Sequence, residues 1–106
     1  MIWNQNVTYQ VVLTDINSPV KSFQVPLHNS IVVGRKKESC DIALDYEKSV
    51  SGKHCEIIVR DGRFYIKDLQ SSNGTYVNDS KILTETEIFT GNALTFGRLK
   101  MRFEVR

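Results

Sequence analysis

The clearest alternation of apolar and polar positions lies at the end of the chain. There Met101, Phe103 and Val105 alternate with Lys100, Arg102, Glu104 and Arg106. Successive side chains on a strand point to opposite faces, so this segment predicts a strand with one buried and one wet face. Earlier, Cys55-Glu56-Ile57-Ile58-Val59-Arg60 and Arg63-Phe64-Tyr65-Ile66-Lys67-Asp68 flank Asp61-Gly62, the strongest short-range signal for a β-hairpin. Residues 8–14 are β-branched and aromatic and predict a first strand, which Asn17-Ser18-Pro19 turns. Lys21-Ser22-Phe23-Gln24-Val25 alternates as its return strand, and Pro26, which has no N–H, is expected to stop the pairing. Ser30-Ile31-Val32-Val33 predicts a short buried strand running into Gly34-Arg35.

Residues 36–53 are mostly polar and predict a loop with one short strand at Ile42-Ala43-Leu44; residues 44–48 have neither a cap nor a helical period. A turn over 71–75 leads into a brief strand at Tyr76-Val77, which Asn78-Asp79-Ser80 turns back through Lys81-Ile82-Leu83. Residues 84–90 carry no decisive pattern. Gly91-Asn92 turns into Ala93-Leu94-Thr95-Phe96, and Gly97-Arg98 joins that strand to the last. About ten short strands with turn signals every eight to twelve residues predict an all-β fold, a two-sheet sandwich. No stretch of ten residues has a helical period, which argues against a βαβ fold. With no repeat or linker, residues 1–106 form one domain; a strand running to the last residue predicts a module of something longer.

Composition narrows the function classes. A hydrophobic fraction of 41% and a charged fraction of 25% are ordinary for a globular domain. Fourteen basic against twelve acidic side chains leave +2, too weak a bias to argue for nucleic acid. No apolar run approaches a membrane span, and Met1-Ile2-Trp3-Asn4-Gln5-Asn6 lacks the basic and apolar regions of a signal peptide, so neither membrane insertion nor export is expected. Cys40 and Cys55 are too few for a disulfide framework and predict free thiols in a reducing, cytoplasmic setting. Cys55 alternates into an apolar face, whereas Cys40 lies in a polar loop. Neither has the spacing of a metal site, and no metal or other cofactor is expected. The sequons at Asn6, Asn73 and Asn78 read as chance or as turn chemistry.

Three small, polar stretches remain: Gly34-Arg35, Ser49-Val50-Ser51-Gly52-Lys53-His54 and Ser71-Ser72-Asn73-Gly74-Thr75. Serine and glycine divert the backbone into turns, and turns rich in donors can hold an anion. The predicted hairpin brings the outer ends of its two strands together, which sets Ser51-Gly52-Lys53 beside Ser71-Ser72-Asn73. Gly34-Arg35 is placed near them only by its position at a strand end.

In order and spacing, Gly34-Arg35, Ser51-x-x-His54, Asn73-Gly74-Thr75 and Asn78 resemble the forkhead-associated (FHA) domain, over nearly the whole chain. The resemblance implies a two-sheet sandwich of about eleven short, mainly antiparallel strands whose loops at one end bind phosphothreonine peptides. It gives Arg35, Ser51, Gly52, Lys53 and Ser72 to the phosphate and Asn73 to the main chain of the peptide. Gly34, His54, Gly74, Thr75 and Asn78 shape the loops. A phosphate monoester carries about −1.5 to −2 charges near pH 7 and three acceptor oxygens, so it suits a fork from arginine closed by hydroxyl and N–H donors. Gly52 departs from many relatives, which carry a larger polar or basic side chain there; Lys53, with Lys36 and Lys37 behind it, is the candidate to compensate.

The partner implied is a protein or peptide containing phosphothreonine, bound by a monomeric, non-catalytic domain in signalling. The alternatives are a nucleic-acid-binding β-barrel, a phosphoester hydrolase and a degenerate FHA fold that binds without phosphate. A barrel of that kind needs exposed aromatic platforms, but Phe64, Phe96 and Phe103 fall on apolar faces. A hydrolase needs a nucleophile with a base or a metal cluster, and His28 and His54, the two histidines, have no such spacing.

Overall fold

The computed structural model describes residues 7–106; the amino-terminal segment considered for export, and Asn6 of the first sequon, lie outside the described residues. Eleven strands form two sheets, with no α-helix among the described residues. In chain order they are β1 (Tyr9–Asp15), β2 (Ser22–Leu27), β3 (Ser30–Gly34), β4 (Ile42–Ala43), β5 (Cys55–Arg60), β6 (Arg63–Asp68), β7 (Thr75–Val77), β8 (Ser80–Lys81), β9 (Thr86–Ile88), β10 (Ala93–Phe96) and β11 (Leu99–Val105). One sheet runs β2-β1-β11-β10-β7-β8 and the other β4-β3-β5-β6-β9; all pairs are antiparallel except β3 with β4.

Turn chemistry explains the hairpins. Asp61 and Gly62 have φ of 52° and 74°, and Asn78 and Asp79 have 49° and 70°. Two consecutive left-handed residues are the signature of a type I′ turn, whose twist matches that of the flanking strands. At Gly97-Arg98 only the first residue is left-handed, with φ of 64°. That carbon has no room for a side chain, since an added Cβ would run into the Ser49 carbonyl and hydroxyl.

The alternation at the end of the chain is realised in β11. Leu99, Met101 and Phe103 are buried, and Arg102 is exposed. They pack with Val11, Leu13, Ile57, Ile66, Leu94 and Phe96 between the sheets. Phe96 and Phe103 are fully buried, and Phe64 packs edge-on to Tyr9 and Phe103.

Two local expectations are corrected. Pro26 does not stop the pairing: it lies within β2 opposite Gln10. β2 is an edge strand, where a missing N–H costs no ladder bond if that position faces out. The return strand expected at Lys81-Ile82-Leu83 is Ser80–Lys81, so the turn before it is two residues long. Ile82 then leaves the strand to reach the core, while Leu83 is exposed. Residues 84–90 contain β9, which pairs with β6, and the polar loop after β3 contains a single 3-10 turn at Lys37–Ser39.

Candidate phosphate-binding site

Antiparallel pairing places three loop ends together. Val33 pairs with Cys55, so the end of β3 lies beside the start of β5. Cys55 pairs with Asp68, so the end of β6 lies beside it too. The loops 34–36, 49–54 and 69–74 therefore share one end of the sandwich.

The first two loops are joined by backbone bonds. Arg35 N–H donates to Ser51 O at 2.9 Å and Lys36 N–H to Gly52 O at 3.1 Å. The Cys40 thiol also donates to Gly52 O, at 3.0 Å. The chains approach so closely that a Cβ on Gly34 would overlap the Gly52 carbonyl and come within 2.9 Å of Cys40 Sγ. Glycine is required there by contact. Arg35 is exposed, and its Nε–H donates to Val50 O at 2.9 Å. This bond engages Nε and leaves the terminal N–H groups of the guanidinium without a partner among the described residues.

His54 connects the second loop to the third. It is fully buried and sits edge-on to Phe96. Its Nδ1 accepts the Ser51 N–H at 3.0 Å, and Nε2 lies 2.8 Å from Gly74 O. Since a carbonyl accepts only, Nε2 carries the proton and the ring is the neutral tautomer. Burial pushes the imidazole below its ordinary value, against the Gly74 carbonyl and Asp68, which favour the cation. Both ring nitrogens are thereby occupied.

The third loop is organised by Asp68, which sequence reasoning missed. Its carboxylate accepts the Ser71 N–H at 3.0 Å, the Ser71 hydroxyl at 2.6 Å and the hydroxyl of the fully buried Thr75 at 2.6 Å. Burial disfavours its charge, but the Ser71 and Thr75 donors outweigh that and hold the carboxyl below its ordinary value. The Ser71 oxygen in turn accepts the Gly74 N–H at 3.0 Å. Between them Gln70 adopts a left-handed φ of 60°, and Gly74 follows at 87°. The Asp68-x-x-Ser71 spacing, an acidic acceptor three residues before a hydroxyl in a turn, is the signal that could have found this device.

The remaining ties set the candidate binding groups. Ser51 Oγ accepts the Ser72 N–H at 2.9 Å, and its hydroxyl proton has no acceptor among the described residues. Asn73 Nδ2–H donates to Ser49 O at 2.9 Å, which leaves the amide one further N–H and its carbonyl. Ser72 and Asn73 are both exposed, as is Lys53. Ser49, which the sequence placed in the second polar stretch without a role, is a hub. Its hydroxyl accepts the Arg98 N–H at 2.9 Å, donates to Glu47 at 2.7 Å, and ties the β10–β11 turn of the opposite sheet to the site. Asn78 stands apart from the candidate binding groups: its Oδ1 accepts the Ala93 N–H and fixes the β7–β8 turn against β10. A groove at the far end, lined by Gly62, Arg63, Phe64, Glu87 and Phe89, lies by the β5–β6 turn and shares no residue with this site.

A two-sheet sandwich that presents an arginine, a serine hydroxyl and an asparagine amide on three interlocked end loops defines a class of anion-recognising β-sandwich module. The FHA domain family model matches residues 31–97, and the chain belongs to that family. Among curated proteins it is similar to the E3 ubiquitin-protein ligase CHFR of Danio rerio, 36% identical over 73 residues (67% of this chain and 11% of that protein). It is also similar to the oxoglutarate dehydrogenase inhibitor of Corynebacterium efficiens, 38% identical over 74 residues (66% of this chain and 47% of that protein). The chain thus spans less than half the length of either relative. Among solved structures, Mycobacterium tuberculosis EmbR in complex with a low-affinity phosphopeptide aligns at 28% identity with a TM-score of 0.76, over 90% of this chain and 24% of that one. An FHA domain solved in a study of phosphothreonine-dependent interactions aligns at 24% identity with a TM-score of 0.78 over 92% of this chain and 97% of that one, which shows the shared fold.

Proposed function

We propose that this domain binds phosphothreonine in partner proteins and performs no catalysis, mediating interactions that depend on phosphorylation. The observation that carries the reading is the arrangement at Ser51: its oxygen accepts the Ser72 N–H, its hydroxyl proton has no acceptor among the described residues, and its carbonyl accepts the Arg35 N–H, which ties it to the residue carrying the guanidinium fork. Arg35, Ser51, Ser72 and the Gly52-Lys53 turn form the phosphate cup. Asn73, with one donor and one acceptor left, is matched to a peptide main chain, which offers one of each per residue. Gly34, His54, Gly74, Thr75 and Asn78 hold the loops in place. His54 supports a non-catalytic reading, because a ring bonded at both nitrogens has no lone pair to act as a base.

In this reading the domain acts as a monomeric module of a longer protein on the cytosolic side, in keeping with the free thiols of Cys40 and Cys55. Nucleic acid is not its ligand. Isothermal titration against a phosphothreonine peptide and its unphosphorylated twin tests the proposal. The phosphopeptide binds and the twin does not, and Arg35→Ala or Ser51→Ala weakens binding about tenfold to a hundredfold, as expected for loss of a charge-assisted bond. Equal binding of the two peptides sinks it.

A further inference from the structure

The structure assigns to Lys36 the place that residue 52 leaves empty. Lys36 is fixed at both ends of its backbone unit: its N–H donates to Gly52 O at 3.1 Å, and its carbonyl accepts the Ser39 N–H at 3.0 Å. From that position its stem runs across Gly52. A Cβ on residue 52 would lie 3.4 Å from Lys36 Cδ, 3.6 Å from Cγ and 3.9 Å from Cε. A side chain at 52 would therefore lie directly against the Lys36 stem, and with glycine there the stem has that surface to itself. Lysine stems pack on such surfaces while the ammonium reaches water or an anion. The ion pairs among the described residues involve Arg60, Arg98, Lys100 and Arg106, so the Lys36 charge is uncompensated by a carboxylate. It follows Arg35 directly in the chain and crosses the residue after Ser51.

We propose that Lys36 is a phosphate ligand of this site, delivering as a point charge what a basic side chain at position 52 would deliver. The inference rests on the phosphate-binding reading above. A dianion held by one guanidinium keeps about one charge unmatched, and a mobile ammonium with three N–H groups can meet it from a second direction.

The test uses NMR titration of the domain with blocked O-phosphothreonine alone and with a phosphothreonine peptide. Lys36→Met keeps the stem and removes the charge; Lys36 is exposed, so the fold is retained, which the amide spectrum checks. Both probes weaken about tenfold, equivalent to about 1.4 kcal/mol. Lys36→Ala, which clears the stem from residue 52, weakens both probes likewise, adding Gly52→Lys to it restores most of the loss, and Lys53→Met alone changes less than Lys36→Met. Overturning results are an unchanged Lys36→Met, a loss confined to the peptide, or a larger loss in Lys53→Met. Arg35→Ala separates the two levels: if it abolishes binding while Lys36→Met does not weaken it, only the Lys36 assignment fails. If Arg35→Ala leaves binding intact, the phosphate-binding reading fails.

Discussion

Asp68 is the most informative residue to remove, because it should matter to the binding loop without touching a ligand. Asp68→Ala deletes three accepted hydrogen bonds at once, from Ser71 N–H, Ser71 hydroxyl and Thr75 hydroxyl. The consequences divide by burial. Ser71 is only half-buried, so its donors can turn to water. Thr75 is fully buried, so its hydroxyl loses its acceptor in a dry place, at about 1–3 kcal/mol. Together with the loosened loop, the expected destabilisation is about 3 kcal/mol, a large share of the 5–15 kcal/mol typical of a domain. Thr75→Val removes the hydroxyl at nearly constant shape and should cost about 1 kcal/mol alone. In the double variant the stranded hydroxyl no longer exists, so the two losses should fall short of additivity by about 1 kcal/mol. Binding should behave differently. Ser71 remains untethered in the double variant, Gln70 is freed from its left-handed conformation, and Ser72 and Asn73 lose their fixed positions. Urea unfolding of the four proteins gives the stabilities, and titration with a phosphothreonine peptide gives the affinities. Full additivity in stability, or recovery of affinity in the double variant, would refute the division of labour assigned to Asp68.

Two further outcomes follow from the same geometry. Gly34→Ala should destabilise the domain by about 1–3 kcal/mol in thermal unfolding, because its Cβ meets the Gly52 carbonyl. Gly52→Ala, which would meet only the Lys36 stem at ordinary contact distance, should stay near wild type; equal effects would show that the 34–52 contact is not tight. The second concerns pH. The folded value of His54 lies below its unfolded value of about 6.5, so the unfolded state takes up the proton first. Its contribution is complete above that pH and is lost as pH falls towards the folded value. Asp68, also lowered, adds a second loss below about pH 3.9, its unfolded value. Stability measured from pH 7.5 to 5.5 should therefore decline, and His54→Gln should flatten the decline; an unchanged slope argues against a buried neutral ring.

The sequence by itself determined most of the strands and the tight turns that pair them, because both are encoded locally; β9 and the bounds of β2 and β8 were not. Alternation marks which face of β11 is buried, and Asp61-Gly62 supplies the two left-handed residues a tight hairpin needs. From that hairpin alone Ser51 and Ser72 had to be neighbours, and they are bonded. Pro26 misled because a local rule was applied without knowing that β2 is an edge, which is a property of the whole sheet. Tertiary structure alone decided how Gly34-Arg35 joins the site, since two of the joining bonds are between backbones and the side-chain bond from Arg35 reaches the carbonyl of Val50, fifteen residues on, where no local spacing signals it. It also decided that Ser49 receives the β10–β11 turn from the opposite sheet, through contact surfaces 49 residues apart that no short window encodes. Asp68 lies between these cases: its spacing to Ser71 is visible in the chain, but its bond to the buried Thr75 exists only once the chain crosses from one sheet to the other. That the Lys36 stem, and not that of a charged neighbour, lies across Gly52 was likewise invisible, because only the folded backbone sets it.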